Sequence, residues 1–336
     1  MTPKPWGWWT QHKLQILGDY LQAFATASSR VDQRIYLDLF AGWPENTSRE
    51  TNEEILGSIH RALAATPPFT KVCLFELPSK AARLEAAVRQ KYPNHQGLHV
   101  YPGDCNDTIT SALQELTPIR WAPTFAFVDQ FAAEVHWSTL TQIAQFKRGR
   151  SVTKAEMWIL FGTSFLPRGL QVGQNHMDAK FGDRLTAMFG SEEWVPIIRA
   201  RRDGLLDATE MRLELLNLMR WRLETELGYR ATHPFTMKNT GGQELYHMIF
   251  ASDHDAGDKI MRHLYGKAID QHEAMRQHAL ARRRVSRQAE RDAAQGADGL
   301  FEIQPTDVRA PQVPMISTRL YTPEPTRPPF GSQRSA

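Results

Sequence analysis

Arg34-Ile35-Tyr36-Leu37-Asp38-Leu39-Phe40, running into Ala41-Gly42, decides the fold. Its apolar residues are nearly continuous, as in a strand buried on both faces. It ends in a turn whose glycine lets backbone approach a ligand closely. The same design recurs downstream. Lys71–Leu77 (KVCLFEL), Leu98–Tyr101 ending at Gly103-Asp104, Phe125–Asp129 (FAFVD) and Glu156–Gly162 (EMWILFG) are apolar runs of strand length. Helical patterns separate them: Ser58–Ala65, a helix capped by Ser79 and carrying Leu84, Ala87 and Val88, then Asp107–Leu116 and Ser138–Phe146. Strands alternating with helices predict a parallel sheet covered on both faces. Residues 43–56 are polar and read as a loop.

On the N-terminal side, Leu14, Ile16, Leu17, Tyr20, Leu21 and Phe24 predict a helix over Trp8–Ala27. Beyond the fifth strand the rhythm breaks. Leu185, Met188 and Phe189, then Met211–Leu227, read as helices of an insertion over the strand ends. Tyr229–Met237 and Glu244–Ser252 read as two strands joined by Asn239-Thr240-Gly241-Gly242, a hairpin. Asp258 to about Ala294 reads as one helix, apolar early and basic late. The remainder is rich in proline and without periodicity. The expected organisation is an N-terminal helix (1–30), a five-strand core (31–163), a helical insertion (164–228), a closing hairpin with the long basic helix (229–295) and a flexible tail (296–336).

With 41% hydrophobic residues in 336, the chain can fill a real core. No apolar run approaches the roughly 20 residues of a membrane span, and Met1–Trp9 lacks the apolar segment of a signal peptide. A cytoplasmic location is expected. Two cysteines, Cys73 and Cys105, exclude a disulfide framework and a cysteine metal site within this chain. The net charge of +3 alone does not imply a nucleic-acid partner. Between Lys259 and Arg291, however, basic residues outnumber acidic ones. That stretch either meets phosphates or is a solvated helix face.

The strand ends bring Asp38, Glu76, Asp104 and Asp129 to one edge of the sheet. Carboxylates do not belong in a core, and an open parallel sheet binds ligands beyond the carboxyl ends of its strands. A ligand cleft is therefore expected there. No Gly-x-Gly-x-x-Gly follows the first strand, which argues against a dinucleotide-dependent oxidoreductase. A phosphate-binding loop with Lys-Ser/Thr and a nucleophile elbow are missing too. His12 and His254-Asp255 have no partner spacing that suggests a metal.

An ordered set of motifs carries a family resemblance. Tyr36–Gly42, Gly57-Ser58 with Ala62-Leu63, Phe75-Glu76, Gly103–Asn106, Phe127–Asp129, His136-Trp137, Phe189-Gly190 with Trp194, and Leu245-Tyr246 with Ile249–Ala251 resemble the three-Cys-motif partner proteins (TcmP). The resemblance spans roughly residues 8–270. It implies a Rossmann-like fold of the S-adenosylmethionine (SAM) methyltransferase kind, a closing antiparallel hairpin, SAM as cofactor and a companion protein with a three-cysteine motif.

By that resemblance Asp38, with Phe40, Ala41 and Gly42, faces the methionine ammonium of SAM. Glu76, beside Leu77, accepts the ribose hydroxyls. Asp104 with Cys105 either holds the adenine or caps the next helix. Asp129 and Phe131 orient the acceptor amine at the methyl. Trp43, Gln130, His136, Trp137 and Arg168 are candidates for the substrate side. Two departures stand out: relatives resemble Phe-Ala-Gly-Pro-Gly and Asp-Pro-aromatic-Gly, whereas this chain has Phe40-Ala41-Gly42-Trp43-Pro44 and Asp129-Gln130-Phe131-Ala132. Two functions follow as expectations. One is methyl transfer to a nucleic acid or nucleotide, with Trp6, Trp8, Trp9 and Trp43 as stacking rings. The other is a degenerate site in an accessory subunit, with Trp43 filling the pocket.

Overall fold

The computed structural model describes residues 5–147, 153–162, 179–294 and 319–331. Seven strands form one sheet. They are β1 (Ile35–Asp38), β4 (Lys71–Glu76), β5 (Leu98–Pro102), β6 (Thr124–Val128), β7 (Glu156–Phe161), β8 (Ala231–Lys238) and β9 (Glu244–Ser252), in the order β5-β4-β1-β6-β7-β9-β8. The first five run parallel. β9 enters antiparallel beside β7, and β8 pairs antiparallel with β9 at the edge. This is a mostly parallel α/β sheet closed by an antiparallel hairpin, compatible with a Rossmann-like fold. Among the described residues no helix is long and apolar enough to cross a membrane.

Both faces of the sheet are buried, which explains the continuous apolar strands. Ile35, Leu37, Cys73, Phe75, Ala126, Val128, Met157, Ile159 and Phe161 point into one core. Helices α4 (Cys105–Glu115), α5 (Trp137–Phe146), α6 (Ala179–Phe189), α7 (Trp194–Arg202) and α8 (Ala208–Thr225) cover that side. The alternate residues Tyr36, Val72, Leu74, Phe125, Phe127, Trp158 and Leu160 point into the other. There the cover is α1 (Trp8–Ala27), α2 (Ser58–Leu63), α3 (Pro78–Lys91) and α9 (Asp255–Ala294). A large side chain buried this way contributes about 1.5–3 kcal/mol. Trp158 also satisfies its indole N–H, donating to the Tyr265 hydroxyl at 2.7 Å.

Two expectations change. Residues 43–56 are not simply a loop. β2 (Glu45–Thr47) and β3 (Glu54–Leu56) pair there as a short antiparallel hairpin, anchored by Ile55 in the core. Within the stretch read as a flexible tail, residues 319–331 lie extended against the domain. Tyr321 donates to the Pro234 carbonyl, Arg327 pairs with Glu214, and Phe330 packs on the core. Proline gave that segment an extended backbone with little entropy to lose on docking.

At the amino end of β7, Glu156 is buried and accepts from Tyr20 Oη at 2.6 Å and Ser252 Oγ at 2.8 Å. Burial pushes its carboxyl from the usual 4.5 up to about 7. Folding therefore holds this proton more tightly than the unfolded chain does. The resulting stability is complete below pH 4.5 and is lost as the pH rises through about 7. The loss is about 3 kcal/mol. Glu156→Gln is expected to melt higher than the parent at pH 8, with the gap closing at pH 5. Thermal denaturation at the two pH values measures this; a gap that does not change with pH would contradict it.

Candidate active site

Strand order reverses at β1. The chain leaves β1 for β4 and β5 on one side, then returns to β6 and β7 on the other. At such a switch point the loops after the two central strands diverge and leave a crevice. Here a cleft of about 540 Å³ opens between the loop after β1 and the loop after β6. Phe40, Ala41, Gly42 and Trp43 form one wall, and Asp129, Gln130 and Phe131 the other. Gly42 has φ +60°, a left-handed conformation that side chains disfavour. The first helix and the closing hairpin complete the enclosure through Trp6, Trp9, Lys13 and Tyr246.

Two acids end the strands on either side of the switch point; Asp129 lines the cleft, and Asp38 does not. Asp38, at the tip of β1, is completely buried. Its Oδ2 accepts from the Tyr36 hydroxyl at 3.1 Å, while Oδ1 has no hydrogen-bond partner among the described residues. Burial raises its pKa from 3.8 to about 7, against the opposing help of the Ser58 hydroxyl and the Phe40 amide. Ser58 itself lines the cleft. Asp129, at the tip of β6, is bound by Lys13 of α1, whose Nζ lies 2.6 and 2.5 Å from its two oxygens. The Lys13 side chain is buried, and its ammonium lies over the rings of Phe127 (5.9 Å) and Tyr246 (5.6 Å). The Tyr246 hydroxyl is buried and has no hydrogen-bond partner among the described residues.

Other expected residues lie elsewhere. Glu76 is buried at the end of β4, with Oε1 accepting from the Leu77 amide at 2.8 Å; neither residue lines the cleft. Asp104 caps α4, accepting from the Asn106 amide at 2.8 Å, and Cys105 is buried in the first turn. Burial pushes the Cys105 thiol up to about 12, so it is no nucleophile at neutral pH. Trp43 turns toward α3, where the Arg83 guanidinium stacks 4.1 Å from its ring centroid. It walls the cleft without filling it.

Of the residues expected on the substrate side, Gln130 lines the cleft, whereas His136 and Trp137 do not. Gln130 is wholly buried and faces inward. Its amide donates to the Leu160 carbonyl at 3.0 Å and accepts from the amides of Glu134 and Val135 at 2.8 and 2.9 Å. With every strong partner inside the protein, its side chain serves as a staple for the loop after Asp129. Trp137 packs at the edge of the core under the Arg222 guanidinium, and His136 is exposed at the start of α5; neither lines the cleft. Among the aromatics read as stacking rings, Trp8 is buried and donates to Thr240 Oγ1, while Trp6, Trp9 and Trp43 do line the cleft. Phe131 stands at its rim, 69% exposed. Arg168 lies outside the described residues.

Lys13 and Tyr246 were not chosen from the sequence as site residues. A lysine in the apolar stripe Trp9, Lys13, Leu17, Tyr20 was the available signal, because a buried charge needs a partner. No protein-family model matches this chain, and no curated protein matches it.

Proposed function

We propose that the chain is a SAM-dependent methyltransferase whose reaction takes place in this cleft. The observation that carries the reading is the cleft itself: it opens at the switch point of a sheet whose seventh strand is inserted antiparallel, between Gly42 and Asp129. Fit to the cofactor is supported by the orphaned Asp38 Oδ1 beside Ser58. A buried carboxylate oxygen with no partner suits an ammonium such as that of a methionine moiety. The motif resemblance to the three-Cys-motif partner family agrees, and with it a companion protein.

When bound, SAM supplies a methyl on a sulfonium: the S–CH3 bond breaks, a bond from the acceptor to CH3 forms, the sulfur keeps the electron pair, and the acceptor releases a proton. The chain's own part is positioning. Lys13 fixes both oxygens of Asp129, yet a carboxylate has about four acceptor sites, so Asp129 can still accept from an acceptor N–H. Gln130 holds the backbone that follows. Glu76 and Asp104 would take the ribose and adenine at the neighbouring strand tips.

A second reading is favoured by the Trp43–Arg83 stack, which ties the loop after β1 to the helix after β4. In that reading the adenosine side stays shut, and the chain is an accessory subunit that has kept the fold. Calorimetric titration with S-adenosylhomocysteine separates the two. The methyltransferase reading expects binding, with Glu76→Ala weakening it by about 1–3 kcal/mol because the ribose hydroxyls lose their acceptor. Equal affinity in Glu76→Ala removes the ribose role. No binding to the parent protein shifts the weight to the accessory reading.

A further inference from the structure

Next to the cleft lies a second groove, of about 520 Å³. It runs between Arg49 and Glu50 at the β2–β3 hairpin, the β8–β9 turn at Asn239–Gly241, and Arg282 and Arg283 on α9. Trp9 lines both the groove and the cleft, so one side chain is their common wall. Arg49 stacks on that wall, its guanidinium 5.3 Å from the Trp9 ring centroid.

The groove is lined by more cations than anions, and Arg49 also donates to the Pro5 carbonyl at 3.2 Å. Three guanidiniums face one carboxylate, Glu50. Arg282 Nε is buried and has no hydrogen-bond partner among the described residues. The neighbouring Arg276 is different, being bound to Glu273 at 2.7 Å. Guanidinium forks suit phosphate oxygens, and a row of them suits a phosphodiester chain. On the other side of Trp9, the cleft is walled by the rings of Trp6, Trp43 and Phe131 and reaches Asp129.

We infer that this groove carries the backbone of a single-stranded nucleic acid and delivers one of its bases past Trp9 into the cleft. A base stacked in a duplex cannot reach a carboxylate inside a cleft, whereas an unpaired one can be splayed onto aromatic rings. An acidic peptide would use the arginines but leave the rings idle. The role of that base as methyl acceptor rests on the proposed reaction; binding of the strand does not.

Fluorescence anisotropy with labelled single-stranded DNA and RNA oligonucleotides of about 12 nucleotides tests this, beside a duplex of the same sequence. The single strands are expected to bind best, with affinity falling as salt rises at a log–log slope of about −2 for three phosphate contacts. Arg283 is exposed and Arg282 half-buried in the later part of a long helix, so Arg282→Ala/Arg283→Ala should fold normally. It should lose about tenfold or more in affinity at low salt and flatten the slope by about 1.4. Trp9→Ala should weaken binding while leaving the slope unchanged, as loss of stacking does. No binding at about 50 mM salt, equal binding by the double variant, or a duplex that binds as tightly as the single strands would each overturn the inference. Titrating S-adenosylhomocysteine in the same preparation keeps the two ideas apart. Cofactor binding without oligonucleotide binding defeats only the inference, and the converse defeats only the proposed reaction.

Discussion

Asp129→Ala is expected to reduce methyl transfer about a hundredfold or more while leaving cofactor affinity nearly unchanged. The same substitution should cost stability. Asp129 is the ion-pair partner of a lysine whose side chain is 6% exposed, so its removal strands an ammonium between two aromatic rings. Breaking a buried pair on one side typically costs 3–5 kcal/mol. Asp129 itself is 25% exposed, which puts the expected cost lower, at about 2–3 kcal/mol. Lys13→Met should cost less, because the carboxylate it frees reaches solvent. The double variant Lys13→Met/Asp129→Ala should regain most of the stability but none of the turnover. Urea denaturation of the four proteins gives the coupling energy, and a methyl-transfer assay gives the rate. If turnover survives in Asp129→Ala, the residue does not orient the acceptor. If the double variant is no more stable than Asp129→Ala, Lys13 is not held by this pair.

Gln130→Ala carries the second large effect. Its side-chain amide is the partner of three backbone groups, the Leu160 carbonyl and the amides of Glu134 and Val135. Truncation leaves all three without it, and leaves a cavity besides. A destabilisation of about 3 kcal/mol follows. Because the loop begins at Asp129, turnover should fall as well, with cofactor affinity changing less. Denaturant melts together with the kinetic split between kcat and KM would show this. A variant as stable as the parent would mean that the loop holds its shape by other contacts.

The central sheet could be read in the sequence because physics marks it twice. Strands buried on both faces must be apolar throughout, and an acid at the end of each such run can only stand at an edge. Asp38 and Asp129 were legible for that reason. What could not be read was the arrangement made across the chain. Gln130 looks in the sequence only like a departure from the resembled pattern; its partner Leu160 lies on another strand, 30 residues away. Lys13 meets Asp129 across 116 residues, and the helix pattern says only that this lysine lies on a buried face. The hairpin at 45–56 has one buried apolar anchor, Ile55, too little for a strand signal. The arginine groove joins four segments that are remote in sequence, and the basic excess on the long helix reads equally as a phosphate site or a solvated face.

Photolabelling locates the cofactor directly. Ultraviolet irradiation of the protein with methyl-tritiated SAM, followed by peptide mapping, reports where the cofactor lies. The label is expected on peptides containing Phe40–Trp43 or Asp129–Phe131, and it should disappear with excess S-adenosylhomocysteine. Label absent altogether, or spread over peptides from neither loop, would contradict a SAM site in this cleft.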